Sequence, residues 1–166
     1  FGGFLLATAI QKWDLHKRIA LFVLENVGSN GASLVLGFML TAAIISMWVM
    51  NTATTIMLLP IGLAVITVVK ETVKGLSDEE TENFQLSLLL GIAYGATIGG
   101  MSTLIGTGPN GMLAAFMSDN YNLDISFVDW MKVGVPLSAV MLPASWLILT
   151  RVIYPVKFET SRETTD

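Results

Sequence analysis

Two polar groups interrupt a chain that is otherwise built for hydrocarbon. The first is SMWVMNTATT, residues 46–55, which carries Ser46, Asn51, Thr52, Thr54 and Thr55. The second is TIGGMSTLIGTGPNG, residues 97–111, with five glycines, one proline and Asn110. All of these side chains are neutral. A hard monovalent cation takes oxygen ligands, and Ser46, Asn51, Asn110 and backbone carbonyls near Gly106 can supply them; glycine lets a carbonyl approach an ion without side-chain obstruction. Asn51 has both an amide acceptor and an amide donor, so it can face a cation and an anion at once, and the Thr52 hydroxyl can donate to a carboxylate. The chemistry this suggests is the joint holding of a cation and an anion without a buried fixed charge.

The backbone adds to it. Irregular chain at membrane depth leaves unpaired groups, tolerated only within protein or beside a watery cavity. A leg starting at Thr54 and Thr55 presents free N–H groups and a positive dipole end to an anion, and a leg ending at Val49 and Met50 presents free carbonyls to a cation such as sodium. Plainer roles stand beside these. Thr54 and Thr55 suit helix caps, Ser46 suits a bond to the carbonyl one turn back, and Gly99 with Gly100 suits close helix packing. Trp13, Trp48, Trp130 and Trp146 suit interface or packing positions, and His16 an interfacial anchor.

The elements that must position these residues are membrane helices. The chain has 166 residues, of which 53% are hydrophobic and only 13% charged, and its mean hydropathy is +0.67. A charge-free run covers residues 32–69, whereas a bilayer span needs about 20 apolar residues. The chain therefore reads as an all-α integral membrane protein. It opens on Phe1 with a short apolar segment, which predicts a fragment of something longer. There is no cysteine, so disulfides and thiolate chemistry are excluded within these residues. The net charge of −4 without a basic stripe gives no footprint for nucleic acid.

Apolar runs and punctuation divide the chain. Residues 1–31 hold the end of a scaffold span and an interfacial helix, the latter over 15–27. Residues 32–69 form a re-entrant hairpin and 70–83 a cytoplasmic loop, in which Ser77 and Glu80 have capping-box spacing. A broken transmembrane helix follows over 84–117, then an external loop over 118–126. A kinked transmembrane helix covers 127–155, and 156–166 form a cytoplasmic tail. Lys12, Lys17, Arg18, Lys70, Lys74, Arg151, Lys157 and Arg162 fall on one face, which the positive-inside rule makes cytoplasmic; Lys132 snorkels to the outer interface. The hairpin competes with two full spans. Its second leg, 55–69, reaches only about 22 Å, which favours the hairpin.

No Ser–His or paired-Asp arrangement is available at depth, which argues against an enzyme. A channel would need a repeated carbonyl ladder, which NTATT lacks. SMWVMNTATTIMLLPI resembles the first signature of the divalent anion/sodium symporters, the carriers of dicarboxylates, citrate and sulfate. IGGMSTLIGTGPN is similar to that family's unwound-helix motif, and HKRIAL fits as well. The resemblance covers residues 1–155. It implies an inverted-repeat transporter of which this chain is the first half, with the missing second repeat completing the site. It further implies Asn51 and Thr52 at a substrate carboxylate, and Ser46, Asn51, the Gly106 carbonyl and Asn110 around sodium.

Met50 stands where the family has serine, so its part in sodium binding falls to the backbone carbonyl, and Gly108 stands where the family has the first of two prolines. The expected function is sodium-coupled uptake of a small dicarboxylate such as succinate, malate or fumarate by alternating access, with no cofactor beyond the coupling sodium. The alternatives are a sodium-independent dicarboxylate exchanger and a sulfate or citrate carrier. The expected setting is a multi-pass homodimer in the bacterial inner membrane.

Overall fold

A computed structural model describes Lys12, Trp13, residues 30–73 and residues 76–156. These residues form α1 (Gly31–Ser46), α2 (Asn51–Thr72), α3 (Asp78–Met101), α4 (Gly108–Tyr121) and α5 (Phe127–Leu147), the last prolonged by a π-helical stretch, Ile148–Ile153. Among the described residues, three stretches are long and apolar enough to cross a membrane: Asn51–Glu71, Asp78–Met101 and Phe127–Ile153. The interfacial helix over 15–27, the preceding span end and the tail beyond residue 156 lie outside the described residues.

Three helices begin with a side-chain cap. The Asn30 Oδ1 accepts the Ala32 N–H at 2.9 Å, and the Ser126 hydroxyl accepts the Asp129 N–H at 3.1 Å. At α3 the expected capping box is complete: Glu80 N–H donates to Ser77 Oγ and Ser77 N–H to the Glu80 carboxylate. The helices that begin at the two polar breaks, α2 after Met50 and α4 after Thr107, carry no side-chain cap. At α2 this leaves the first N–H groups for something else to satisfy, whereas at α4 Pro109 has no N–H and the Asn110 N–H donates to the Thr107 carbonyl at 3.3 Å.

A glycine ladder brings α1 and α3 together. Gly91 faces the side chains of Val35 and Met39, a Cβ on Gly95 would lie 2.5 Å from the Met39 carbonyl oxygen, and one on Gly99 would overlap the Ala43 backbone. Such close approach suits helices that must associate without help from water. Phe38, Met39, Leu58, Phe84, Leu88 and Ile92 fill the core between α1, α2 and α3. The indole of Trp146 donates to the Ala32 carbonyl at 2.8 Å, and Trp48 and Phe127 rings meet at 6.1 Å. α5 thus runs antiparallel to α1, spanning from the tip between α1 and α2 to the base of α1.

Several boundaries differ from expectation. The second leg starts at Asn51 and runs for 22 residues, into the expected 70–83 loop. It reaches about 33 Å, so its length no longer separates a hairpin from a full span. α1, at 16 residues, reaches about 24 Å, short of a core of about 30 Å. α3 starts at Asp78 rather than 84, because the capping box starts a helix in polar sequence, and α4 carries helix to Tyr121, into the expected external loop. The interruption shrinks to residues 102–107, since Gly99 and Gly100 remain helical where they pack. α5 continues through Pro136 and Pro143, and Lys132 pairs with Asp129 at 2.6 Å.

Candidate functional site

The two breaks meet. A Cβ on Gly106 would lie 2.5 Å from the Gly100 carbonyl oxygen and 2.8 Å from that of Ser46, so the loop crosses the end of α1 where only glycine fits. Ser46 is fully buried there. Its hydroxyl lies 2.8 Å from the Asn51 side-chain amide and 3.3 Å from the Val49 carbonyl oxygen. Asn51 projects from the first residue of α2 over Gly100, whose missing side chain leaves the amide its space.

The polarity around Asn51 is one-sided. Its amide terminus faces Ser46 Oγ at 2.8 Å and the carbonyl oxygens of Gly106 and Ala96 at 3.3 Å each. An amide oxygen turned toward those two carbonyls would be repelled, so the nitrogen belongs there, its two protons shared among Ser46 Oγ and the two carbonyl oxygens. Three oxygens thus converge on a point now filled by an N–H₂ group. All are uncharged.

Asn110, largely buried at 8% exposure, joins this group through the loop. Its Nδ2 donates to the Gly100 carbonyl at 3.0 Å and the Thr103 carbonyl at 2.8 Å. It also lines a cavity of about 370 Å³ together with Met101, Trp130 and Gly134. Thr52 is exposed on the first turn of α2, beside the uncapped N–H groups.

The structure thus gathers Ser46, Asn51, Gly106 and, through Gly100, Asn110. Met50 is arranged differently: its carbonyl accepts the Thr54 N–H at 3.0 Å and so points along α2, and its side chain is 60% exposed. The free N–H groups belong to the turn starting at Asn51, not to Thr54 and Thr55. Neither threonine caps the helix. The Thr55 hydroxyl bonds back to the Asn51 carbonyl at 2.9 Å, and Thr54 Oγ1 is buried without a partner among the described residues.

Gly99 and Gly100, expected in helix packing, and Trp130, expected at an interface or in packing, take more specific parts, and Ser138 and the Ala96 carbonyl join them without having been expected. Gly100 faces Asn51 and Gly99 faces α1, so the pair is split between site and packing. The Trp130 indole donates to the Met101 carbonyl at 3.0 Å and the Ser138 hydroxyl to the Ile98 carbonyl at 2.9 Å, so α5 satisfies the open carbonyl end of α3. The Ala96 carbonyl carried no signal, being backbone inside a helix.

The chain matches the citrate transporter family model over residues 1–164. It is 39% identical over 154 residues to the sodium-dependent dicarboxylate transporter SdcS of Staphylococcus aureus (strain USA300), covering 92% of this chain and 30% of the relative. The same protein from strain NCTC 8325 / PS 47 matches with the same identity and coverage. The chain therefore spans about 30% of the length of these relatives. The likeness first seen in two motifs extends across nearly every residue, helices and breaks alike, and the chain belongs to the citrate transporter family.

Proposed function

We propose that the chain is the first half of a sodium-coupled carrier for a divalent organic anion, with a C4 dicarboxylate such as succinate as substrate. In this reading α1 and α2 form a re-entrant hairpin, Asn51 and Thr52 meet the substrate carboxylate, and sodium sits among Ser46, Asn51, the Gly106 carbonyl, Asn110 and the second lone pair of the Met50 carbonyl. The observation that carries it is the convergence of Ser46 Oγ, Gly106 O and Ala96 O on the Asn51 amide, next to two uncapped helix starts.

The geometry supplies a mechanism of coupling. Without a cation, the Asn51 N–H₂ group donates to the carbonyls that would otherwise repel one another. Sodium arriving there turns the amide, so that Oδ1 joins the ligands and the N–H₂ swings toward the mouth of α2. Freed donors, the helix dipole and the ion's own charge then favour a carboxylate together. Loss of the ion removes its charge and turns the amide donors back, leaving the helix dipole alone, which makes binding of anion and cation interdependent. The apolar residues Met112, Leu113 and Phe116, exposed on α4 after the break, require hydrocarbon or protein around them, and this supports breaks that lie within the membrane. Alternating access would then carry the hairpin and break as a rigid body against a scaffold.

One observation favours a sodium-independent exchanger instead. The Met50 carbonyl is engaged along α2 and its thioether is no ligand for a hard cation. Proteoliposomes holding the full-length carrier separate the two. Uptake of labelled succinate into empty vesicles, driven by an inward sodium gradient, is expected. Uptake only into succinate-loaded vesicles, indifferent to sodium, would establish exchange and overturn symport.

A further inference from the structure

We propose that Thr103 is the staple that ties the two breaks into one unit, acting as a positioning residue for the ion- and anion-binding group; the proposal rests on the sodium-coupled reading above. Thr103 lies in the interruption between α3 and α4 and is fully buried. Its hydroxyl donates to the Met47 carbonyl at 2.5 Å, a contact across 56 positions of sequence. The same hydroxyl accepts the Gly106 N–H at 3.1 Å. Its backbone carbonyl accepts from Asn110 Nδ2 at 2.8 Å.

Each of these partners has a reason to need it. Met47 follows the last residue of α1, so its carbonyl is one of the unpaired groups that a helix end leaves. Gly106 lies in irregular backbone, and its N–H has no helical acceptor. A single hydroxyl, with one proton to give and a lone pair to receive, satisfies both where water is scarce. The consequence reaches the site. The Gly106 carbonyl is 3.3 Å from the Asn51 amide, so holding the Gly106 N–H holds the residue whose oxygen faces the amide. Glycine cannot hold itself, because its backbone is the freest of any residue. Thr103 therefore fixes Gly106, orients Asn110, and binds both to the tip that carries Ser46 and Asn51. The two breaks move together or not at all.

The test uses the purified full-length carrier as wild type, Thr103→Val and Thr103→Ser, each checked for a single gel-filtration peak. Hydrogen–deuterium exchange of the segments 46–50 and 102–107 is followed during titration with sodium chloride against choline chloride. Valine keeps the shape and removes the hydroxyl. Both segments are expected to exchange at least about tenfold faster in Thr103→Val, with about tenfold more sodium needed for half-maximal protection. Serine keeps the hydroxyl and is expected to behave as wild type. If the valine variant does not fold, Thr103→Cys, with its weaker donor, is expected to fall between wild type and a full loss. Wild-type exchange of 46–50 in the valine or cysteine variant overturns the staple, as does loss in Thr103→Ser. A wild-type carrier showing no sodium protection counts against the sodium reading, while the exchange comparison among variants still decides the role of Thr103.

Discussion

Gly100 and Asn51 share one space: a methyl group on Gly100 would coincide with the side-chain amide of Asn51. That amide is the group toward which Ser46, Gly106 and Ala96 direct their oxygens. A residue without a side chain is thus as much a part of the site as the asparagine itself, since it determines where the amide can stand.

Gly100→Ala is therefore expected to lower sodium affinity about tenfold or more, because displacing a packed side chain costs about 1–3 kcal/mol. Its neighbour should behave differently. Gly99→Ala meets the rigid Ala43 backbone rather than a movable side chain, so the loss should appear as a lower melting temperature in detergent and poor recovery. Equal effects of the two on both readouts would contradict the division between site and packing.

Trp130→Phe keeps the ring's bulk and removes the donor to the Met101 carbonyl. An orphaned buried carbonyl costs about 1–3 kcal/mol. A lower melting temperature is expected, with a comparable drop for Ser138→Ala, since Ile98 also lies in the last turn of α3, where the Ser102 N–H goes to Gly99 and the Ser138 hydroxyl donates to the Ile98 carbonyl. An unchanged melting temperature for Trp130→Phe would mean that water or a rearranged turn satisfies Met101 equally well.

Gly108 has nothing within 4 Å of where a Cβ would sit, and it opens α4. Gly108→Ala should leave uptake intact and stabilise the fold by about 0.4–1 kcal/mol, through the unfolded chain's lost freedom. Strongly reduced uptake at normal stability would show instead that another part of the carrier approaches Gly108 during transport.

Much of this arrangement was legible in the residues. Polar oxygens at 46–55 and glycines at 97–111 inside apolar sequence pointed to helix breaks, and Ser77 with Glu80 pointed to a helix start. What was not legible is tertiary. Glycine costs about 1 kcal/mol in a helix, which suggested a break as early as 97; packing of Gly99 on α1 offsets that cost and carries α3 to Met101. The polar letters of 78–83 suggested a loop, yet capping and an acidic first turn make them helix. Thr103 and Trp130 have ordinary side chains whose importance arises only from the carbonyls brought beside them by residues distant in sequence. No spacing rule within one segment could reveal those partners.

The central claim is that the Asn51 amide and the oxygens around it form the coupled ion and anion site. Sodium-dependent uptake of labelled succinate by full-length Asn51→Ala in proteoliposomes tests it most directly, with insertion verified by protease protection. The variant is expected to insert normally and lose sodium-driven uptake, while Ser46→Ala retains uptake at a raised sodium requirement. Wild-type rates and sodium dependence in Asn51→Ala would contradict the account.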